Sequence, residues 1–133
     1  MSGYLLDTNI ISGLIRNPSG SVAQRIEQAG AKAVCTSIDV ASELRYGCAK
    51  KGSPKLLARV EELLRVIPVL PLDMPADADY GRIRAELETV GQPIGANDLL
   101  IAAHALALGM TLVTDNTREF GRVRGLKLEN WLG

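Results

Sequence analysis

This chain contains little histidine, little cysteine and no excess of charge of either sign. Its single His excludes mechanisms that need two imidazoles and metal sites rich in His, and its two Cys are too few for a disulfide framework or a zinc site. The 15 basic and 15 acidic residues give a net charge of zero, which argues against a protein that binds nucleic acid over a broad basic surface. Nucleic acid as a substrate stays open.

The sequence also lacks long apolar runs, a targeting segment and glycine loops that bind phosphate. Its longest apolar stretch, residues 99–110, is interrupted by His104 and is too short to span a bilayer. The N-terminus has neither a basic start nor an apolar core of signal length, so we expect a cytoplasmic protein without membrane contact. Neither the Gly-x-Gly-x-x-Gly nor the Walker pattern occurs, which argues against a nucleotide cofactor.

Short apolar runs alternate with amphipathic segments along the chain, whose length predicts one domain, residues 1–133. Four runs are too short for helices and end at Gly, Pro or polar residues, so we predict strands at 4–6, 33–36, 66–70 and 110–114. Helices are predicted after Asp7, at 19–29, 38–49, from 54, at 75–90, and at 98–108 with Asn97 as its cap. Strands separated by helices indicate an α/β protein, a three-layer α/β/α sandwich with a mainly parallel central sheet.

Polar residues follow two of the predicted strands. Asp7 comes directly after the first strand, and Asp115 with Asn116 follows the last one. In parallel sheets the chemistry collects outside the carboxyl ends of the strands, so these side chains are candidates for a common site. A cap or turn residue without a catalytic role is the alternative for both acids.

Two further carboxylates lie in apolar surroundings. Asp98 stands in the first turn of the most apolar helix, so we expect its carboxylate to face a cleft, although the helix dipole explains an acid there as well. Glu43 lies in the middle of a helix with Val40 and Gly47 on its own side, which is unusual for a solvated face. The alternative for Glu43 is a boundary residue turned outward.

Convergence of Asp7, Glu43 and Asp98 would create a site for a divalent cation. Clustered carboxylates repel one another, and a cation removes that repulsion. Oxygen ligands without Cys or His favour Mg²⁺ or Mn²⁺ over zinc, and Mg²⁺ prefers a few carboxylates together with a phosphate oxygen. We therefore predict that the substrate is a phosphodiester or a phosphate and that the chemistry is metal-assisted hydrolysis. His104, alone on an apolar helix, is predicted to be a hydrogen-bonded core residue.

Four motifs occur in order, and a fifth segment follows them near the end of the chain. They are Leu-Leu-Asp-Thr-Asn at 5–9, Ser-Glu-Leu-Arg-Tyr-Gly at 42–47, Ile-Gly-Ala-Asn-Asp-Leu-Leu-Ile-Ala-Ala-His-Ala at 94–105, Leu-Val-Thr-Asp-Asn-Thr-Arg-Glu-Phe at 112–120 and Gly-Leu-Lys-Leu-Glu-Asn-Trp at 125–131. In this order they resemble the PIN-domain ribonuclease toxins of VapC type. The resemblance spans essentially the whole chain.

The resemblance implies a PIN fold and an endoribonuclease that cuts RNA, often a structured RNA such as a transfer RNA, with Mg²⁺ or Mn²⁺. It implies Asp7, Glu43 and Asp98 as acidic site residues and metal ligands, with Thr8 as the hydroxyl beside the first acid. It also implies a homodimer and an inhibiting antitoxin of VapB type, with which a larger assembly forms. Basic residues that lie mostly in runs are the candidates for holding RNA: Arg16, Lys50, Lys51, Lys55, Arg59, Arg118, Arg122 and Arg124.

The chain departs from the family pattern at one position. Many PIN domains carry a fourth acid in a Thr-x-Asp-x-x-acid-Phe arrangement, and the register of residues 114–120 places Asn116 where that Asp would stand. The fourth acidic role therefore falls to Asp115, to Glu119 or to no residue. The number of metal ions stays open for the same reason.

Two functions from other classes also stay open. An Mg²⁺-binding phospho-acceptor domain of α/β type would gather Asp residues at strand ends too, but it usually needs adjacent acids early in the chain, and Asp7 has no acidic neighbour. An interaction domain without catalysis would use the same carboxylates as caps.

Overall fold

Five parallel strands form the centre of the computed structural model, which describes residues 3–132. They are β1 (Tyr4–Leu6), β2 (Val34–Ser37), β3 (Val69–Leu70), β4 (Thr111–Val113) and β5 (Leu128–Glu129), in the spatial order β3-β2-β1-β4-β5. All four pairings are parallel, so the chain crosses over between strands by way of helices. Residues 1, 2 and 133 lie outside the described residues. The first two belong to the N-terminal segment in which no signal sequence was expected.

Helices connect the strands and cover the sheet. Within residues 3–132 they are α1 (Thr8–Arg16), α2 (Ser21–Ala29), α3 (Ile38–Lys51), α4 (Pro54–Val66), α5 (Ala76–Thr89), α6 (Ala96–Leu108) and α7 (Thr117–Phe120). A short 3-10 turn, Ala31–Ala33, precedes β2. The predicted α/β/α sandwich with a parallel sheet is confirmed.

Local chemistry fixes the boundaries of α3 and α4. The Ser37 hydroxyl accepts the backbone N–H of Asp39 at 3.0 Å and so caps α3, which ends at Gly52 in the left-handed region (φ +61°). The Ser53 hydroxyl caps α4 by accepting the N–H of Leu56 at 3.2 Å, and Pro54 occupies the first helical position. Both starts agree with the prediction.

The differences from prediction occur where local patterns are weak. Val66 was predicted in a strand but is the last residue of α4, so only the following Val69–Leu70 pairs with β2. Asn97 was predicted to cap α6 but lies within its first turn, and Gly95 precedes the helix without a side-chain cap. The segments β5 and α7 were not predicted, because two and four residues are too short to show a period.

The centre of the sheet lies in the core. Leu5 and Leu6 of β1 and Leu112 and Val113 of β4 are completely buried, as parallel strands covered on both faces should be. Helix α6 is buried at Leu99 and at residues 101–105, in agreement with its apolar sequence. The residue after β1 therefore emerges in the middle of the carboxyl edge, between the ends of β2 and β4. No helix among residues 3–132 has the length and apolar character needed to cross a bilayer.

Candidate active site

Asp7 is held rigidly at the carboxyl end of β1. Its backbone N–H donates to the Val113 carbonyl at 2.9 Å and so extends the pairing with β4. One carboxylate oxygen, Oδ1, accepts the N–H of Thr8 at 2.8 Å and caps α1, while Oδ2 accepts the hydroxyl of Thr114 at 2.7 Å. Only 6 % of the residue is exposed. The cap predicted as an alternative is therefore real, and the same carboxylate also faces the end of β4.

Thr8 and Asn9, which follow Asp7, form hydrogen bonds with α3 and with the segment after β4. The Thr8 hydroxyl donates to Oε1 of Glu43 in α3 at 3.1 Å, which turns that half-buried carboxylate inward rather than out to solvent. The Asn9 amide donates to Oδ1 of Asp115 after β4 at 3.0 Å. Three consecutive side chains thus join β1 to α3 and to the segment that follows β4.

Asp98 lies half-buried in the first turn of α6, and its charge is coupled to the other acids. Burial raises the pKa of Asp98 to about 6, and repulsion from Asp7, Glu119, Glu43 and Asp39 contributes in the same direction. A carboxylate on an open helix end would not be affected in this way. The charge of Asp98 is therefore coupled to the charges of the acids at the sheet edge, and its role in a common site stays a prediction.

The pKa of Asp7 is raised as well. Burial is the largest cause, and the charges of Glu43 and Asp115 add to it, while the hydrogen bonds from Thr114 and Thr8 stabilise the ionised form and oppose the rise. The charges of these acids thus disfavour one another. A bound cation would relieve this repulsion at both Asp7 and Asp98.

The candidates for the fourth acid occupy different places after β4. Asp115 is exposed, is held by Asn9, and acts electrostatically on Asp7. Glu119 lies in α7 and acts on Asp98. Asn116 donates its backbone N–H to the Thr114 hydroxyl at 3.0 Å, and its side chain brings no charge. Two acids therefore contribute negative charge from this segment, and their catalytic roles remain predictions.

Two residues of the site were missed at the sequence level. Thr114 is fully buried and binds both Asp7 and the backbone of Asn116; its position as the last residue of a predicted strand was the available signal. Asp39 is half-buried in the first turn of α3, and burial and the charges of Glu43 and Asp7 raise its pKa. Its spacing of four residues from Glu43 was the signal, because such residues share a helix face.

The acids around Asp7 are not paired with basic side chains. None of the six ion pairs found among residues 3–132 contains one of the acids described above, which are Asp7, Asp39, Glu43, Asp98, Asp115 and Glu119. Within the same residues no three Asp, Glu, His or Cys side chains already stand in the arrangement of a metal-ligand set. The donors at hand are carboxylate and hydroxyl oxygens, which suit Mg²⁺ or Mn²⁺. By donor type and by charge, these residues fit a hard divalent cation.

His104 has the core role predicted for it. The residue is 1 % exposed, and its Nδ1 lies 2.8 Å from the hydroxyl of Ser37, the residue that caps α3. Burial lowers the pKa of His104, and the Pro71 carbonyl offsets part of that change, so the ring is neutral at pH 7. His104 therefore holds the first turn of α3 from the core of the protein and contributes no imidazole to the group of acids.

Comparison with known proteins shows similarity over the full length of the chain. The family model described as PIN domain matches residues 4–126. The tRNA(fMet)-specific endonuclease VapC of Shigella flexneri is 42 % identical over 132 residues, with 98 % of this chain and 99 % of that protein covered. Ribonuclease VapC2 of Haemophilus influenzae is 41 % identical over 133 residues, with 99 % and 100 % covered. The crystal structure of DNA-bound VapBC from Salmonella typhimurium matches with a TM-score of 0.90 at 36 % identity, covering 98 % and 99 %.

Proposed function

The chain belongs to the PIN domain family as an endoribonuclease of VapC type, and we propose that it hydrolyses RNA with Mg²⁺ or Mn²⁺ held by Asp7, Glu43 and Asp98. One observation carries this proposal: the buried Asp7 carboxylate is oriented on both oxygens at the sheet edge, among acids that no described basic side chain neutralises. The phospho-acceptor and interaction-domain alternatives are disfavoured, because relatives at 42 % and 41 % identity are named endonuclease and ribonuclease.

The protein's own contribution is orientation and charge. Hydrogen bonds from Thr8 and Thr114 fix the Asp7 carboxylate and leave each oxygen with a further lone pair for a cation. The Thr8 hydroxyl holds Glu43 at the same edge. A divalent cation held by these residues would lower the pKa of a coordinated water and neutralise charge on the phosphate. With its only imidazole buried behind α3, the site has no acid–base pair of histidines for attack by the 2′-hydroxyl.

The proposed chemistry predicts the ends of the products. Incubation of the protein with RNA and Mn²⁺ is expected to give fragments with 5′-phosphate and 3′-hydroxyl ends, because water and not the 2′-hydroxyl attacks the phosphorus. Excess EDTA should stop the cleavage. The ends can be identified by mass spectrometry of the fragments. Fragments with a 2′,3′-cyclic phosphate, or cleavage that persists in EDTA, would contradict metal-assisted hydrolysis.

A cleft beside Glu43 contains two basic side chains that suit binding of the RNA backbone. Its volume is about 250 Å³, and it extends from Thr8 and Glu43 to Arg16 at the end of α1 and Lys51 at the end of α3. Of the other basic candidates, Arg124 pairs with Glu86 and Arg122 binds the Pro93 carbonyl, away from this cleft. We propose that Arg16 and Lys51 hold phosphates next to the scissile bond.

Replacement of Arg16 and Lys51 should weaken RNA binding and make the affinity depend less steeply on salt concentration. For Arg16→Ala with Lys51→Ala, measured in an Asp7→Asn background so that the RNA stays intact, the slope of log affinity against log salt should become shallower by about 0.7 for each lost phosphate contact. Fluorescence anisotropy over a salt series measures this slope.

Lys32→Ala with Lys127→Ala is the matched control for this pair. It removes the same charge from exposed positions before β2 and β5, at the opposite edge of the sheet. The control should keep the original slope. Equal slopes for both double variants would contradict a role for the cleft.

We further propose that the substrate is a structured RNA such as a transfer RNA, because the Shigella flexneri relative is named for one. A VapB-type antitoxin as partner is proposed from the VapBC structures, and a homodimer from the resemblance to the family. The proposed location is the cytoplasm, where such RNA and such a partner would be met. Sequencing of RNA 5′ ends after induction of the protein would identify the target.

A further inference from the structure

Tyr46 is an exposed aromatic residue in the middle of α3. Its exposed fraction is 66 %, whereas the other four aromatic residues of the chain are buried or half-buried. Among residues 3–132 the ring takes part in one electrostatic contact, with the Lys50 ammonium, whose Nζ lies 6.0 Å from the ring centre. A large aromatic surface is therefore left open to solvent.

Tyr46 and Glu43 are neighbours on the surface of α3. They are three residues apart, and residues at this spacing lie on the same side of an α-helix. Glu43 accepts the hydroxyl of Thr8 at 3.1 Å and is thereby joined to the segment that begins at Asp7. The exposed ring thus stands about one helical turn from a carboxylate of the candidate site.

Gly47 leaves the backbone of α3 open beside Tyr46. It lines the cleft of about 250 Å³ together with Glu43 and Lys51. Glycine inside a helix is destabilising relative to alanine, so a reason for it is expected. Packing is not the reason, because a Cβ atom at Gly47 would meet no neighbouring atom within 4 Å, and its φ is not positive. The open backbone suits the close approach of a molecule from outside the chain.

A contact that stabilises the helix is the simpler explanation for the pairing of Tyr46 with Lys50, which are four residues apart. That contact explains neither the exposure of the ring nor the glycine beside it. Neither Lys50 nor Lys51 belongs to an ion pair found within residues 3–132. An open aromatic ring and two unpaired ammonium groups complement the base and the phosphates of a nucleotide.

We propose that Tyr46 is a stacking platform for an unpaired RNA base near the scissile phosphate, and that Lys50 supplies positive charge for the adjoining phosphate. Proteins that bind single-stranded RNA combine aromatic rings, on which bases stack, with basic groups that follow the backbone. The inference rests on the proposed ribonuclease function and narrows its substrate. The base must be unpaired, because a base inside a duplex is already stacked on its neighbours.

Binding of single-stranded and duplex RNA tests the stacking role. The probe is a fluorescein-labelled RNA strand of mixed sequence, free or annealed to its complement, and every protein carries Asp7→Asn so that the RNA stays intact. Tyr46→Ala should weaken binding of the single strand by roughly 5- to 150-fold, because stacking of one base is lost. Tyr46→Phe keeps the ring and should bind like the parent. Affinity for the duplex should change little in either variant.

The salt dependence of binding separates stacking from charge. Tyr46→Ala should keep the slope of log affinity against log salt, because it removes no phosphate contact, whereas Lys50→Ala should make the slope shallower by about 0.7. Val90→Ala is the matched control, since Val90 directly after α5 is also 66 % exposed, and it should change neither affinity nor slope. Tyr46→Leu serves as a second variant if Tyr46→Ala does not fold.

The outcomes separate this inference from the function on which it rests. If Tyr46→Ala binds the single strand like its parent while the native chain cleaves RNA in Mn²⁺, the stacking role is overturned and the proposed function stands. A loss of affinity that is equal for single strand and duplex would also overturn it, because stacking on an unpaired base affects only the former. If the native chain neither binds nor cleaves RNA, both the proposed function and this inference fail.

Discussion

Asp7→Asn is expected to abolish RNA cleavage while leaving the protein folded. The carboxylate is the best-oriented oxygen donor of the site, and metal-assisted stabilisation of a phosphodiester transition state is worth several kcal/mol. Since about 1.4 kcal/mol corresponds to a factor of ten in rate, the loss should be at least about a thousandfold. Asn keeps an oxygen that can accept the Thr8 N–H, so α1 retains its cap.

The stability of metal-free Asp7→Asn, unlike its cleavage activity, should not fall. Because burial raises the pKa of Asp7, the ionised carboxylate is unfavourable in the metal-free protein, and a neutral Asn should give an equal or higher Tm in EDTA. Cleavage of RNA in Mn²⁺ and thermal unfolding in EDTA are the two measurements. Asp77→Asn, on the exposed start of α5, should leave cleavage unchanged and lower Tm only slightly, because an acid in a first turn interacts favourably with the helix dipole. Cleavage that survives in Asp7→Asn would remove Asp7 from the mechanism.

Lowering the pH from 7 to 5 at limiting Mn²⁺ should reduce cleavage by about tenfold. The pKa of Asp98 is raised to about 6, mainly by burial, so most of the protein carries a protonated Asp98 at pH 5, and protons compete with the metal. Saturating Mn²⁺ should move the midpoint of the pH profile to lower pH. Rates measured on one RNA across this range, at two Mn²⁺ concentrations, check both statements. A profile that does not respond to Mn²⁺ would contradict this account.

Acidification should affect the stability of the metal-free protein in the reverse sense. An acid whose pKa is raised on folding binds its proton in the folded state where the unfolded chain has already lost it. For Asp98 this window lies between its ordinary pKa of 3.8 and about 6. Stability in EDTA should therefore rise as the pH falls from 6 to 4, as far as Asp98 is concerned. Asp98→Asn should remove this contribution.

The sequence was sufficient to place the main acids, because alternating strands and helices define one edge where polar residues must emerge. Asp7 and Asp115 follow strands, and Asp98 begins a buried helix, so their convergence follows from the topology alone. The choice between cap and site residue for Asp7 could not be made in advance. The structure shows the cap, because α1 begins at the sheet edge itself, and the role of Asp7 as a metal ligand stays a prediction.

The remaining parts of the site depend on contacts that no local pattern reveals. Thr114 binds Asp7 across 107 positions of sequence, and Asn9 binds Asp115 across 106. Asp39 differs from other acids in a first turn only in the residues that pack around its carboxylate. Its spacing from Glu43 could suggest a shared helix face, but that spacing could not predict the burial of Asp39. The strand β5 is too short to be detected by itself and is defined by its pairing with β4.

The order of the strands in the sheet differs from the order in which a ribosome makes them. The first strand synthesised, β1, lies in the middle, and its neighbour β4 emerges more than a hundred residues later. At roughly 5 to 20 residues per second, Asp7 waits about 5 to 20 s for Thr114. Until β4 has been made, β1 lacks one of its two neighbouring strands, and Asp7 lacks its hydrogen bond with Thr114. The first acid of this ribonuclease therefore gains its full set of hydrogen bonds only when synthesis of the chain is nearly complete.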